Sequence, residues 1–170
     1  MISIKSAREI ELMKNTCALA ASTLEYIEPF IKPGVSTEDL NKLCHDYIVK
    51  NGAYPSPLNY NGFPKSVCTS LNEVICHGIP SKKDVLKNGD ILNIDVTTYL
   101  QKFHGDTNKT FYVGEVNPEL KKLVEVTYQC MREGIRQVRP GARIGDIGAV
   151  IQEIAPVSYT HLTLPTTPYV

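Results

Sequence analysis

Paired cysteines are missing from this sequence. Five cysteines, Cys17, Cys44, Cys68, Cys76 and Cys130, are odd in number and contain no Cys-x-x-C, which excludes a disulfide framework and a zinc-finger site and leaves most of them as reduced, buried small residues. Charge of one sign is also lacking. Eighteen basic and eighteen acidic residues cancel, and no run of Lys or Arg exceeds two, so no stripe that would track phosphates is present and nucleic acid is not an expected partner. No segment approaches the roughly 18 uninterrupted apolar residues of a membrane span, and "MISIKSAREIELMK" is polar and amphipathic where a signal peptide would have an apolar centre. The expected location is the cytoplasm, without membrane attachment. With 42% hydrophobic residues in 170, the chain is long enough for one domain with a real core.

What is present is helical at first. Ser6 and Glu9 have capping-box spacing, and Ile10, Met13, Ala20, Leu24 and Ile27 follow at helical intervals towards Pro33-Gly34. A second helix is predicted from Ser36, which can cap the amide of Asp39; Leu40, Leu43, Tyr47 and Ile48 form its apolar face and Gly52 ends it. Residues 53–66, "AYPSPLNYNGFPKS", read as a loop carrying aromatics that a plain connector would not need. "VCTSLNEVICHGIP" and "GDILNIDVTTYL" are β-prone, so the expected order is helix, helix, loop and antiparallel strands. From Pro118 a further helix is predicted, with Leu120, Val124, Tyr128 and Met131 on one face, up to Pro140-Gly141.

"IKPGVSTEDLNKL" from Ile31 and "VRPGARIGDIGAV" from Val138 share an apolar residue, a base, Pro-Gly and then Asp-Leu or Asp-Ile at a constant offset of 107. Each follows one predicted helix and opens another, which suggests a duplicated unit of helices and strands.

In "NIDVTTYLQKFHGDTNKTFYVG", Asp95 and Asp106 flank a predicted hairpin. With Gln101-Lys102 as a two-residue loop, Thr97 stands opposite Asp106, and Asp95 is its diagonal neighbour on the same face. Two carboxylates that close repel unless a cation or a proton lies between them. Hard oxygen donors would favour Mg, Mn, Fe or Co. The same spacing also accommodates Asp106 in a turn of "HGDT" and Asp95 paired with a lysine.

The stretches "YNGFPKSVCTSLNEVICHGIP", "GDILNIDV" and "FHGDTNKTFYVG" closely resemble the type I methionine aminopeptidases, with the match running from Met1 to about Ala155. The resemblance implies an α/β (α+β) pita-bread fold with two pseudo-symmetric halves, a metal site between them, and removal of the initiator methionine from nascent proteins. It implies metal binding by Asp95 through both oxygens and by Asp106 as a bridge, with two divalent ions per full-length enzyme (Co, Mn, Fe or Zn). His77 would meet the substrate around the scissile amide and help stabilise the tetrahedral intermediate. Tyr60, Phe63 and Cys68 would line the methionine side-chain pocket, and Asn72 and Val74 would hold a monovalent cation through their carbonyls. Implied partners are peptides with N-terminal Met and nascent chains at the ribosome, and the full-length enzyme would be a monomer. Rival readings are a noncatalytic peptide- or protein-binding module on the same fold and a sister Xaa-Pro peptidase; the aromatic loop speaks for methionine.

The family's remaining ligands, a histidine in Gly-His-Gly and two glutamates, have no counterpart: His161 sits in "YTHLT" and no glutamate follows Glu153. The expected organisation is a first half over about 1–115, the start of a second half over 116–155, and a tail, 156–170. That tail is expected to be non-native, because "VSYTHLTLPT" looks like an in-frame translation of a transposon-type sequencing adapter. On this reading the chain is a C-terminally truncated, inactive fragment.

Overall fold

The computed structural model describes residues 3–158, with side chains through 155. Two compact units divide after Val116. In the first, helix α1 (Ala7–Ile27) begins as its sequence predicts. The Ser6 hydroxyl accepts the Glu9 amide and the Glu9 carboxylate returns to the Ser6 N–H at 2.7 Å, completing the capping box. The helix stops earlier than the Pro33-Gly34 expectation, because Pro29 has no N–H to continue the ladder and the chain tightens into a 3-10 turn, Glu28–Phe30. Helix α2 (Thr37–Lys50) is capped by Ser36 through the Asp39 amide as predicted, and Gly52 (φ +77°) follows its end.

Four antiparallel strands follow. β1 (Tyr54–Pro55) lies inside the segment read as loop; β2 (Cys68–Leu71), β3 (Ile91–Leu100) and β4 (Phe103–Tyr112) fall where the β-prone stretches stand. β3 is central, with β1 and β2 along one edge and β4 along the other. Period-2 alternation separates its faces: Leu92, Ile94, Val96 and Thr98 are fully buried, while Asn93, Asp95 and Thr97 are only half-buried.

Helix α1 covers the buried face. Its contact surface includes two threonines that hydrophobic periodicity passes over, Thr16 and Thr23, whereas Ile10 is exposed. Thr16 is at home in the core because its hydroxyl meets the Thr98 hydroxyl at 2.9 Å, and the Thr98 hydroxyl donates to the Thr16 carbonyl at 3.0 Å. α2 contributes Leu40, Cys44 and Ile48 to the same core, and burial pushes the Cys44 thiol up to about 12.

Gln101 and Lys102 close the β3–β4 hairpin with φ of +54° and +74°, a left-handed pair of the kind glycine or asparagine usually supplies. The register nevertheless follows the sequence expectation, with Thr97 opposite Asp106. Lys102→Gly is expected to raise unfolding stability by about 1 kcal/mol, because the left-handed penalty of a side chain is relieved; chemical denaturation with an unchanged m-value would check it.

The second unit contains α3 (Pro118–Arg136) and α4 (Ile144–Ser158). Of the face predicted from Leu120, Val124, Tyr128 and Met131, the first two are half-buried and the last two exposed, while Cys130 and Gly134 are buried. Gly134 decides this, since a methyl there would stand 3.2 Å from Ile147 on α4, so the close approach of the helices selects the glycine side. α4 also runs to Ser158, past the expected end of the helical pattern at Ala155. The rest of the tail expected to be non-native, His161 included, lies outside the described residues.

The two Pro-Gly segments are built alike. Gly34 and Gly141 hold φ of +90° and +87°, and the Val35 amide bonds the Lys32 carbonyl as the Ala142 amide bonds that of Arg139. Asp39 N–H to Ser36 O likewise repeats as Asp146 N–H to Arg143 O, at the same offset of 107. Equal turns, equal hydrogen bonds and equal helix order make chance a poor account of the repeat.

Candidate metal centre

Hydrogen-bond register sets Asp95, Asp106 and Cys68 on the open face of the sheet. Cys68 pairs directly with Asp95 across β2 and β3, and Asp106 lies one diagonal step from Asp95 across the hairpin. Further along that face, the Asn93 amide donates to Asn108 and to the Thr110 hydroxyl, each at 3.0 Å. The face is therefore polar and internally bonded around the carboxylates.

The Asp95 carboxyl is raised above its ordinary range. Burial is the largest cause; the neighbouring Asp106 charge and a hydrogen bond between the two carboxyls add to it, and His77 opposes it. The Cys68 thiol is pushed up to about 11, again mainly by burial, with Asp95, Cys76 and Asp106 contributing. Cys68 is thus a neutral thiol beside two carboxyls.

His77 lies in the loop after β2, and its charge is felt at Asp95. It is exposed and has φ +55°, a left-handed conformation uncommon for a residue with a side chain. Gly78 seats this loop against β2: the Thr69 N–H donates to its carbonyl at 2.8 Å and its own N–H donates to the Ser70 hydroxyl at 3.3 Å. A methyl group at Gly78 would overlap the Thr69 carbonyl oxygen and stand 2.8 Å from its carbon. Gly78→Ala is expected to release the His77 loop and to cost about 1–3 kcal/mol by overpacking; a thermal melt, with proteolysis mapping the first cut to residues 72–80, would check it.

Asn72 turns the chain out of β2 at φ +50°, its amide bonded to the Ile91 carbonyl and its side chain to the Ile91 N–H and to Asp90. Val74 is exposed. Tyr60 opens a 3-10 turn that Phe63 closes, with Tyr60 exposed and Phe63 half-buried. Neither joins the carboxyl pair through a hydrogen bond or ring contact among the described residues. The structure therefore sets Asp95, Asp106 and Cys68 side by side on one face, with His77 in a neighbouring loop whose charge is felt at Asp95, and leaves the two aromatics on a separate turn. The lysine partner that spacing allowed for Asp95 is not among the ion pairs of the described residues.

The profile of Metallopeptidase family M24 matches residues 11–163. The chain belongs to this family. Among M24 relatives, methionine aminopeptidase A of Synechocystis is 51% identical over 154 residues, which is 91% of this chain and 61% of that protein. The crystal structure of methionine aminopeptidase from Rickettsia prowazekii superposes with a TM-score of 0.91 at 52% identity, covering 92% of this chain and 63% of that one. A Xaa-Pro dipeptidase from Bacillus anthracis, 22% identical with a TM-score of 0.79 over 92% of this chain and 42% of its own, shares the fold. The chain thus spans about three fifths of the length of the methionine aminopeptidases it matches.

Two neighbouring carboxyls on the open face, Asp95 half-buried and Asp106 exposed, with Asp95 raised by burial and by the Asp106 charge, are the donor chemistry of a divalent-cation site in this M24 chain. Among the described residues no three His, Cys, Asp or Glu gather to hold a metal by themselves. No described helix is long and apolar enough to cross a membrane.

Proposed function

We propose that this chain is the metal-carboxylate half of a methionine aminopeptidase, and that the longer protein removes the initiator methionine from nascent chains in the cytoplasm. The observation that carries the reading is the diagonal placement of Asp95 and Asp106 on one face of a hairpin, in a chain about half identical to methionine aminopeptidases. Asp95 and Asp106 are the proposed ligands of divalent ions, two in the longer protein. Such ions would supply Lewis acidity towards the scissile amide and make a water nucleophile available near neutral pH. His77, held at the mouth of the site by the Gly78 tether, donates to the substrate around the amide being cut. Cys68, with its thiol kept neutral, and the aromatics Tyr60 and Phe63 offer a soft, apolar surface to a thioether. The Asn72 and Val74 carbonyls are proposed for a monovalent cation.

In this reading residues 1–115 are the first half, 116–155 open the second, and 156–170 are foreign to the native protein. Genomic sequence past codon 155 tests that division: a Gly-His-Gly motif and two later glutamates support it, and a gene that continues unbroken into the recorded tail overturns it. The activity test uses a panel of Met-Ala-Ser and Xaa-Pro peptides with Mn or Co. The product of the uninterrupted gene is expected to release methionine and to spare Xaa-Pro bonds, and the 170-residue chain alone is expected to release neither. Cleavage of Xaa-Pro in preference to Met-Ala would move the assignment to the proline-specific peptidases.

A further inference from the structure

Residues 56–66 form a turn whose internal hydrogen bonds are local. The Leu58 amide bonds Pro55, Tyr60 bonds Pro57, Phe63 bonds Tyr60 and Asn59 bonds Phe63, and Asn59, Asn61 and Gly62 all hold positive φ. Such a unit keeps its own shape, but its orientation must come from where it is attached.

Apart from the Tyr54 hydroxyl on β1, which donates to the Leu58 carbonyl at 2.8 Å, the attachments lie at its two ends, and each uses a serine and the Nδ1 of a histidine. At the first end, the Ser56 N–H donates to Thr97 on β3 at 2.9 Å, and the Ser56 hydroxyl meets His104 Nδ1 on β4 at 2.9 Å. At the second, the buried Ser66 N–H donates to Asn41 Oδ1 at 2.9 Å, and its hydroxyl meets His45 Nδ1 at 2.8 Å. The adjacent Lys65 pairs with Glu38 at 2.7 Å. Glu38, Asn41 and His45 follow one another at helical spacing along one face of α2. Between that face and the turn, a cleft of about 230 Å³ leaves room for the turn to shift if these contacts are lost.

We infer that Asn41 and His45 are positioning residues, which together with the Ser56–His104 contact clamp the ends of residues 56–66 and so fix where Tyr60 and Phe63 stand. The inference rests on the proposed role of those aromatics in taking a methionine side chain. It places control of the side-chain pocket on α2, whose residues touch neither carboxylate of the metal pair.

The test is hydrogen exchange of the 170-residue chain, read by mass spectrometry, for the parent and for Asn41→Ala, His45→Ala and the double variant. Amides of 57–66 are expected to exchange about tenfold faster in the double variant, from the loss of two hydrogen bonds, while those of 91–112 keep their rates. His45→Asn, which puts an amide near the Nδ1 position, should restore most of the protection. Unchanged exchange at 57–66, or a rise matched throughout 91–112, would overturn the inference. Should the double variant fail to fold, His45→Ala alone gives the same reading at a half-buried position. Methioninamide separates this inference from the functional reading, because the clamp is measured without ligand. Slowing of 57–66 by methioninamide in the parent and not in the variants supports positioning; no slowing in the parent, with the variants deprotected, overturns the pocket role of the aromatics and leaves the clamp of 56–66 by Asn41 and His45 standing.

Discussion

Gly105→Ala is expected to cost about 3 kcal/mol or more, at the upper end of overpacking penalties and a large share of the 5–15 kcal/mol typical of a domain. The reason is the closeness of α1 to β4. A methyl at Gly105 would stand 2.5 Å from the Thr16 carbonyl carbon and oxygen and 2.6 Å from the Cys17 nitrogen. These are backbone atoms, so no rotamer change can yield the space. The helix would have to lift, and lifting it separates Thr16 from Thr98 and opens the Leu92–Ile94–Val96 face to water. Gly105 is also the residue before Asp106, so a surviving fold would carry a displaced carboxylate. A urea titration should show the midpoint falling well below that of the parent chain; a midpoint within error of the parent would mean that α1 is not seated against β4 as described.

Asp95→Asn is expected to act in opposite directions with and without metal. The Asp95 carboxyl lies above its ordinary 3.8 in the folded chain, chiefly through burial and then through the charge of Asp106. A folded-state value above the unfolded one means that folding favours the protonated form. The favourable contribution is complete below the unfolded value and is lost as pH rises through the folded one, so at neutral pH the ionised Asp95 costs stability. The metal-free Asn variant should therefore melt higher than the parent at pH 7.5, with the difference shrinking as the pH falls towards 4. Divalent ions should reverse the order by stabilising the parent alone. In the longer protein the same change is expected to lower methionine release roughly thousandfold, since a metal's charge stabilisation is worth several kcal/mol. A variant that melts lower than the parent at every pH without metal would contradict the electrostatic account of the pair.

The hairpin was readable from sequence because strand pairing obeys a simple parity. Once Gln101-Lys102 is the loop, Thr97 must oppose Asp106, and the backbone accepts two left-handed residues to keep that register. Both helix starts were legible for a similar reason, since Ser6 and Ser36 cap through local hydrogen bonds that need no tertiary context. Tertiary contacts account for what was not. Thr16 and Thr98 look like surface residues until they are seen to satisfy each other, and Gly134 outranks Tyr128 and Met131 on α3 because α4 comes too close for a larger side chain. The seating of the His77 loop against β2 depends on Gly78 lying against Thr69, a contact that spacing alone does not show. A glycine directly after a histidine and before Ile-Pro was the available signal.

The claim at the centre of this account is that Asp95 and Asp106 together hold a divalent cation, and Mn²⁺ titration of the 170-residue chain followed by electron paramagnetic resonance tests it most directly. The prediction is weak but saturable binding, as befits two ligands of a larger set, with loss of the bound fraction in both Asp95→Asn and Asp106→Asn. Binding of Mn²⁺ that survives both substitutions, or none in the parent at millimolar ion, would contradict it.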